Sequence, residues 1–256
     1  MSNKREREKR REQRLQEETK VDAGERRTRL LQFGAGAVFL AIVAVVVLIV
    51  VNGSSSSGGD AENLKEVSAV DSLVSGVPQN AMVLGKPEAK VELMEYGDLQ
   101  CPVCKAYSEE ILPQVIENKV DSGQAKIVFK NFTIIGEQSA PAGAAALAAG
   151  EQGRGWDYLE LFYRNQGEEN SGYATDEFLT AVAKSSGVKN ISKWNQERTG
   201  KKLTGEVEKT TEQAQTFGFS GTPSFAIKGP NTKGIELLGS NLQTPEEFEQ
   251  AIDSAG

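Results

Sequence analysis

The stretch KVELMEYGDLQCPVCK, residues 90–105, decides the fold. Its first part, KVELMEYGD (90–98), carries spaced Val91 and Leu93 and has the length of a strand. It runs into Cys101-Pro102-Val103-Cys104, after which Val103, Tyr107, Ile111 and Val115 recur at the i+4 spacing of a helix. Pro113 within that helix predicts a kink. A strand that stops just before a helix starts puts Cys101 at the helix N-terminus, where unpaired N–H groups and the helix dipole stabilise a thiolate. Cys104, one turn on, faces inward beside it, and Pro102 falls where a missing N–H costs nothing. One accessible, reactive sulfur beside a shielded one is what a reversible dithiol requires.

Other uses of the cysteine pair carry less weight. A structural disulfide closing a four-residue loop constrains the unfolded chain little. A zinc site needs four ligands, whereas the chain has two cysteines and no histidine. Covalent haem attachment needs a histidine after the second cysteine, and Lys105 stands there. The missing histidines also exclude Ser-His and Cys-His hydrolases and remove the commonest general base near neutral pH. No metal and no cofactor are expected.

Beyond the cysteines the pattern alternates. KIVFKNFTI (126–134) reads as the next strand, with Ile127, Phe129 and Phe132 as core candidates. Residues 138–200 read as helices, among them a small-residue run, APAGAAALAAG, and WDYLELFYRNQ, which places Trp156, Leu159 and Tyr163 on one face. A long helix is expected from about Leu203 to Phe217. SFAIKG (224–229) and GIELLG (234–239) read as a hairpin across PNTK. The end is a helix with Thr244 as cap, Pro245 at its first position and Glu247 three residues after the cap. Strand–helix–strand, helices, then strand–strand–helix is an α/β layout with a helical insertion.

The N-terminal side has a different character. Residues 1–29 carry 11 Lys/Arg and 7 Asp/Glu, although the whole chain has a net charge of −7. A basic head on an acidic body points away from nucleic acid, which requires a cationic surface on the folded part. FGAGAVFLAIVAVVVLIVV (33–51) has no charged residue, and at 1.5 Å per residue its 19 residues span roughly one hydrocarbon core. A cleaved signal peptide is the rival reading. The run is longer than the usual apolar region, though, and VNGSSSS is a poor cleavage site. Only Lys65 is basic between residues 52 and 70, so the positive-inside rule leaves the N-terminus in the cytoplasm and exports the rest. The expected organisation is a charged tail (1–32), a transmembrane helix (33–51), a flexible linker and surface arm (52–79), and a catalytic domain (80–256) with its helical insertion at about 138–200.

MVLGKPEAKVELMEYGDLQCPVCK from Met82, the helical insertion and FGFSGTPSFAIKG near the end occur in that order. Together they resemble the DsbA-like thioredoxin-fold oxidoreductases, in particular the membrane-anchored bacterial members, over about residues 78–256. The resemblance implies a thioredoxin-like fold with a helical insertion, and the apolar run at 33–51 adds a single transmembrane helix before it. It implies Cys101 as the nucleophile that links to substrate and Cys104 as its resolving partner. Thr222-Pro223 matches the family's cis-proline loop, whose proline faces the sulfurs and whose preceding residue pairs with substrate peptide. A Gly-Thr-Pro turn before a strand permits such a bond but does not by itself require it. Glu95 matches a buried carboxylate that relays a proton to or from the second cysteine. An exposed strand carboxylate is the alternative reading, with Asp98 as substitute. Val103 departs from the strongly oxidising members, which often carry histidine there. The function implied is disulfide formation in reduced exported proteins, with reoxidation by a quinone-linked membrane partner. A reductase or isomerase of exported proteins is the second reading, and a non-catalytic peptide-binding module the third.

Overall fold

A computed structural model describes residues 64–240 and 242–256. The tail, the apolar run at 33–51 and the spacer at 52–60 lie outside the described residues. Among the described residues no helix is long and apolar enough to cross a membrane.

The core is a six-stranded sheet of order β1-β2-β4-β3-β5-β6. Its strands are β1 (Gln79–Asn80), β2 (Val83–Leu84), β3 (Val91–Gly97), β4 (Ala125–Asn131), β5 (Ser224–Lys228) and β6 (Glu236–Gly239). β3 and β4 run parallel, with Glu95 opposite Phe129, and every other neighbour is antiparallel. A parallel pair needs a crossover. The chain from Pro102 to Val120 supplies it: α2 (Pro102–Ala106), a π-helical stretch (Tyr107–Ile111), α3 (Leu112–Val115) and a second π-helical stretch (Ile116–Val120). Pro113 sits at the start of α3, so its missing N–H falls where the ladder has already changed register. The kink expected at Pro113 therefore takes the form of a widened turn ahead of it. Val103 does not join the inward stripe of Tyr107 and Val115; it is 59% exposed, because the residue after Pro102 points out at the helix start.

Alternation along β3 sorts its side chains onto two faces. Leu93 joins the large core, while Met94 and Tyr96 join a smaller cluster with Phe132, Ala214 and Ala226. α8 (Lys201–Thr216) covers that second face, held by the Tyr96 hydroxyl, which donates to Gln213 Oε1 at 2.8 Å. α9 (Pro245–Ala255) covers the first, capped as expected by Thr244 and Glu247. Its Phe248 stacks on Phe225 and Tyr107 at 4.7 and 5.2 Å between ring centres.

The insertion consists of α4 (Ser139–Gly150), α5 (Gly155–Arg164), α6 (Asp176–Ser185) and α7 (Ile191–Arg198). α5 is buried on every side from Trp156 to Tyr163, not along one face, because it lies between the sheet and the rest of the insertion. The arm before the domain is also more than a spacer. α1 (Val67–Val74) packs on α5 through buried Val70 and Val74, and β1 and β2 extend the sheet edge after it.

Candidate functional site

Cys101 sits at the end of the β3–α2 connection as the cap residue of α2, in an extended conformation. Its N–H donates to the Asp98 carbonyl at 3.0 Å, and its own carbonyl accepts from the Lys105 N–H at 3.1 Å. The sulfur accepts the Cys104 N–H at 3.4 Å and lies 3.3 Å from the Thr222 carbonyl oxygen. Both cysteines are free thiols. Cys104 is fully buried and Cys101 is 3% exposed. The expected order of exposure holds, but the openly accessible Cys101 does not, since the Thr222 loop comes up against its sulfur.

The two sulfurs differ in acidity. The hydrogen bond from the Cys104 thiol is the largest influence lowering Cys101 to about 6; the Thr222 side chain and the N–H groups of Cys104 and Val103 add to it, while burial opposes. The Thr222 hydroxyl is buried without a hydrogen-bond partner, so the contact the loop makes with the sulfur is through its carbonyl. Burial pushes Cys104 well above the usual thiol range, and the charges of Cys101 and Glu95 push the same way.

Thr222-Pro223 is cis and lies against Cys101. Beside it runs a groove lined by Val103, Tyr107, Ile111, Pro223, Phe225 and Leu242. Glu95 is buried, so the exposed-carboxylate alternative does not hold. Burial first, then the charges of Glu160 and Cys101, hold its carboxyl well above the ordinary range. Asp98 is occupied otherwise. Its oxygens accept the N–H groups of Gln100, Ile134 and Ile135 at 2.9, 2.9 and 3.0 Å, fastening the cysteine loop to the loop that follows β4. With both oxygens engaged it does not substitute for Glu95.

Several residues here carry no sequence signal of their role. The Gln166 amide donates to the carbonyls of Leu99 and Cys101 at 2.6 and 3.1 Å, tying the insertion to the dithiol. Buried Gln100 donates to Ser139 Oγ at 2.9 Å and accepts the Asn170 N–H at 3.1 Å. Both are polar residues in loops whose partners are distant in sequence. Glu160, Arg164 and Ser108 form a third such group, marked only by the i,i+4 spacing of the first two.

A dithiol at a helix start, unequal in acidity and faced by a cis-proline loop on a central parallel strand pair, defines a thioredoxin-fold thiol–disulfide oxidoreductase. The chain belongs to the thioredoxin family, whose model matches residues 78–254, and within it to the DsbA-like enzymes. A Bacillus cereus protein named "Probable disulfide bond formation protein D" is 29% identical over 175 residues, 66% of this chain and 76% of that one. Disulfide bond formation protein D of Bacillus subtilis is 27% identical, over 70% of this chain and 81% of its own. Among solved structures, oxidised BdbD from Bacillus subtilis superposes with a TM-score of 0.61 at 24% identity, covering 72% of this chain and 97% of that one. α-DsbA1 of Wolbachia pipientis gives 0.58 at 22%, over 73% and 95%. The chain is thus a protein disulfide oxidoreductase.

Proposed function

We propose that the protein is a disulfide-forming oxidase, anchored by residues 33–51 and acting on reduced exported proteins outside the cytoplasm. The observation that carries this reading is the unequal placement of the sulfurs: Cys101 Sγ caps α2 and accepts the Cys104 N–H at 3.4 Å, whereas Cys104 is fully buried, and Cys101 is accordingly lowered to about 6 while Cys104 is raised well above the thiol range. A thiolate stable at neutral pH makes Cys101 a good leaving group and favours the reduced enzyme over its disulfide, which is the property of an oxidant.

In the oxidised enzyme a substrate thiolate attacks Cys101 Sγ. The Cys101–Cys104 bond breaks, a substrate–Cys101 disulfide forms, and the electron pair leaves on Cys104. Cys104 takes up a proton, for which Glu95 is the donor. A second substrate thiolate then attacks the substrate sulfur and releases Cys101 as the thiolate. The substrate has lost two electrons and the enzyme holds them as a dithiol. Thr222 and the groove beside Pro223 would hold the substrate peptide alongside the sulfurs. A quinone-linked membrane partner would return the enzyme to its disulfide. The relatives named as disulfide bond formation proteins support this direction over reductase or isomerase work.

The reading is tested by adding the oxidised protein to a reduced, unfolded substrate protein. Disulfides should form faster than with oxidised glutathione alone. Cys101→Ser should reduce the rate to that of buffer, and Cys104→Ser should trap substrate on Cys101. No acceleration by the intact enzyme would contradict the oxidase reading. A reporter fused after Gly256 and active only in the cytoplasm would contradict the anchor.

A further inference from the structure

One turn beyond Cys104 on the crossover, Ser108 holds a second buried carboxylate that the exchange steps above do not use. Glu160, on α5, has no exposed surface. Its Oε2 accepts from Arg164 Nη1 at 2.7 Å and from Ser108 Oγ at 2.9 Å, while its Oε1 has no partner. Glu95, on β3, likewise has an unpartnered Oε1, and the Tyr107 hydroxyl is buried without a partner as well. Arg164 is itself only 7% exposed and makes an ion pair at 3.4 Å with Glu66, at the start of α1, which is 58% exposed. A buried ion pair costs several kcal/mol of desolvation per ion, so an apolar pair of similar volume would be at least as stable. Stability therefore does not explain why α5 carries this buried pair.

We infer that Glu160 is a positioning residue for thiol–disulfide exchange: anchored by Arg164 and Ser108, its carboxylate keeps on Glu95 the proton that Glu95 exchanges with Cys104. The inference rests on the reading of Glu95 as the proton donor. An anion in a low-dielectric pocket disfavours ionisation of a neighbouring acid. Burial lifts both carboxyls, but Arg164 and Ser108 oppose the lift at Glu160, and no cation opposes it at Glu95. Glu160 thus gives up its proton first, and its charge then holds the Glu95 proton in place. Glu95 and Cys104 are both held above their ordinary ranges, burial being the first cause at each, so each keeps its proton more tightly than an exposed group would.

The titratable groups around Glu95 come from every packed element. Those that interact with it are Cys101 and Cys104 at the start of α2, Tyr107 on the first π-helical stretch, and Glu160 and Tyr163 on α5. None of these is a cation, and Arg164 of α5 is committed to Glu160 and Glu66. β4 offers Phe129 opposite Glu95 and β5 offers Phe225, so neither neighbouring strand supplies a counter-charge.

The test follows the Glu95 carboxyl by carbon-13 NMR in the reduced full-length protein, its signal assigned by loss in E95Q. In E160Q the Glu95 midpoint should fall by about one pH unit or more. The high-pH limb of substrate oxidation, corrected for the thiolate fraction of the attacking thiol, should move down with it. E160Q/R164Q removes both charges together and leaves no lone buried cation, so it serves if E160Q does not fold; the Glu95 midpoint should again fall. A folded variant of either kind with an unchanged Glu95 midpoint overturns the inference. If E95Q itself leaves the pH profile of oxidation unchanged, Glu95 is not the proton donor, and the role of Glu160 in exchange falls with it. A profile altered in E95Q but a midpoint unmoved in E160Q removes only the role of Glu160.

Discussion

The Thr222 carbonyl oxygen stands 3.3 Å from the Cys101 sulfur although the two residues are 121 positions apart. The contact exists because β5 pairs antiparallel with β3, which brings the loop before β5 to the same sheet end as the loop after β3. A thiolate at Cys101 faces that oxygen without a proton to offer it. Its stabilisation then comes from the Cys104 thiol, the Thr222 side chain and the N–H groups of the helix start.

Reactivity follows from that stabilisation. Alkylation of the reduced protein should modify Cys101 with a midpoint near pH 6 and leave Cys104 unmodified in the native state. Val103→His would place a cation at an exposed position of the helix start and should move the midpoint lower still. Measuring the alkylation rate against pH for both proteins checks this. A midpoint near the ordinary thiol value of about 8.5 would contradict it.

The same shift predicts a pH-dependent difference in stability between the redox forms. Cys101 titrates only in the reduced protein, and its folded value of about 6 lies below its unfolded value. Its contribution is therefore fully present above about pH 8.5 and is lost as pH falls through 6. After allowance for screening it is on the order of 2–4 kcal/mol. Glu95 is raised in the fold and acts in the opposite sense, but it is present in both forms and largely cancels in their difference. Urea unfolding of the reduced and oxidised proteins at pH 5.5 and 8.5 should show the reduced form gaining on the oxidised at the higher pH. A difference independent of pH would refute the assignment of the thiolate to Cys101.

Much of this was legible in the residues. Strand, CPVC and helix lie in the expected order because a period of two giving way to a period near four is a local signal. The Thr244 cap is a local signal too, whereas the Thr222-Pro223 loop was legible through the resemblance and not from its own residues. What was not legible depends on long-range packing. β1 and β2 are two residues each and carry no alternation. The π-helical turns before Pro113 and after Val115 depend on how the crossover fits the sheet. Trp156, Leu159 and Tyr163 read as one face of an amphipathic helix, whereas α5 is enclosed, and this encloses Glu160 as well. Gln166, Gln100 and Asp98 act through backbone groups 36 to 70 positions away, which no spacing rule reaches.

Asp98 gives a structural test. Its carboxylate satisfies three backbone N–H groups, and Asp98→Ala leaves them without that acceptor. The variant should lose on the order of 3 kcal/mol of stability. Because the Asp98–Cys101 turn sets the sulfur's position, the alkylation midpoint should also rise. Urea unfolding alongside the alkylation profile reads both. A variant as stable as the parent would show that Asp98 does not fasten the loop.

The central claim is that the thiolate at Cys101 makes the disulfide an oxidant, and the dithiol's reduction potential tests it most directly. The purified protein is equilibrated with glutathione buffers of known ratio, and the fraction of free Cys101 and Cys104 is read after acid quenching. Each 30 mV corresponds to about 1.4 kcal/mol between the two forms. The account predicts a potential well above the about −270 mV of thioredoxin, towards the about −120 mV of DsbA. A value at or below about −270 mV would contradict it and assign the enzyme to disulfide reduction.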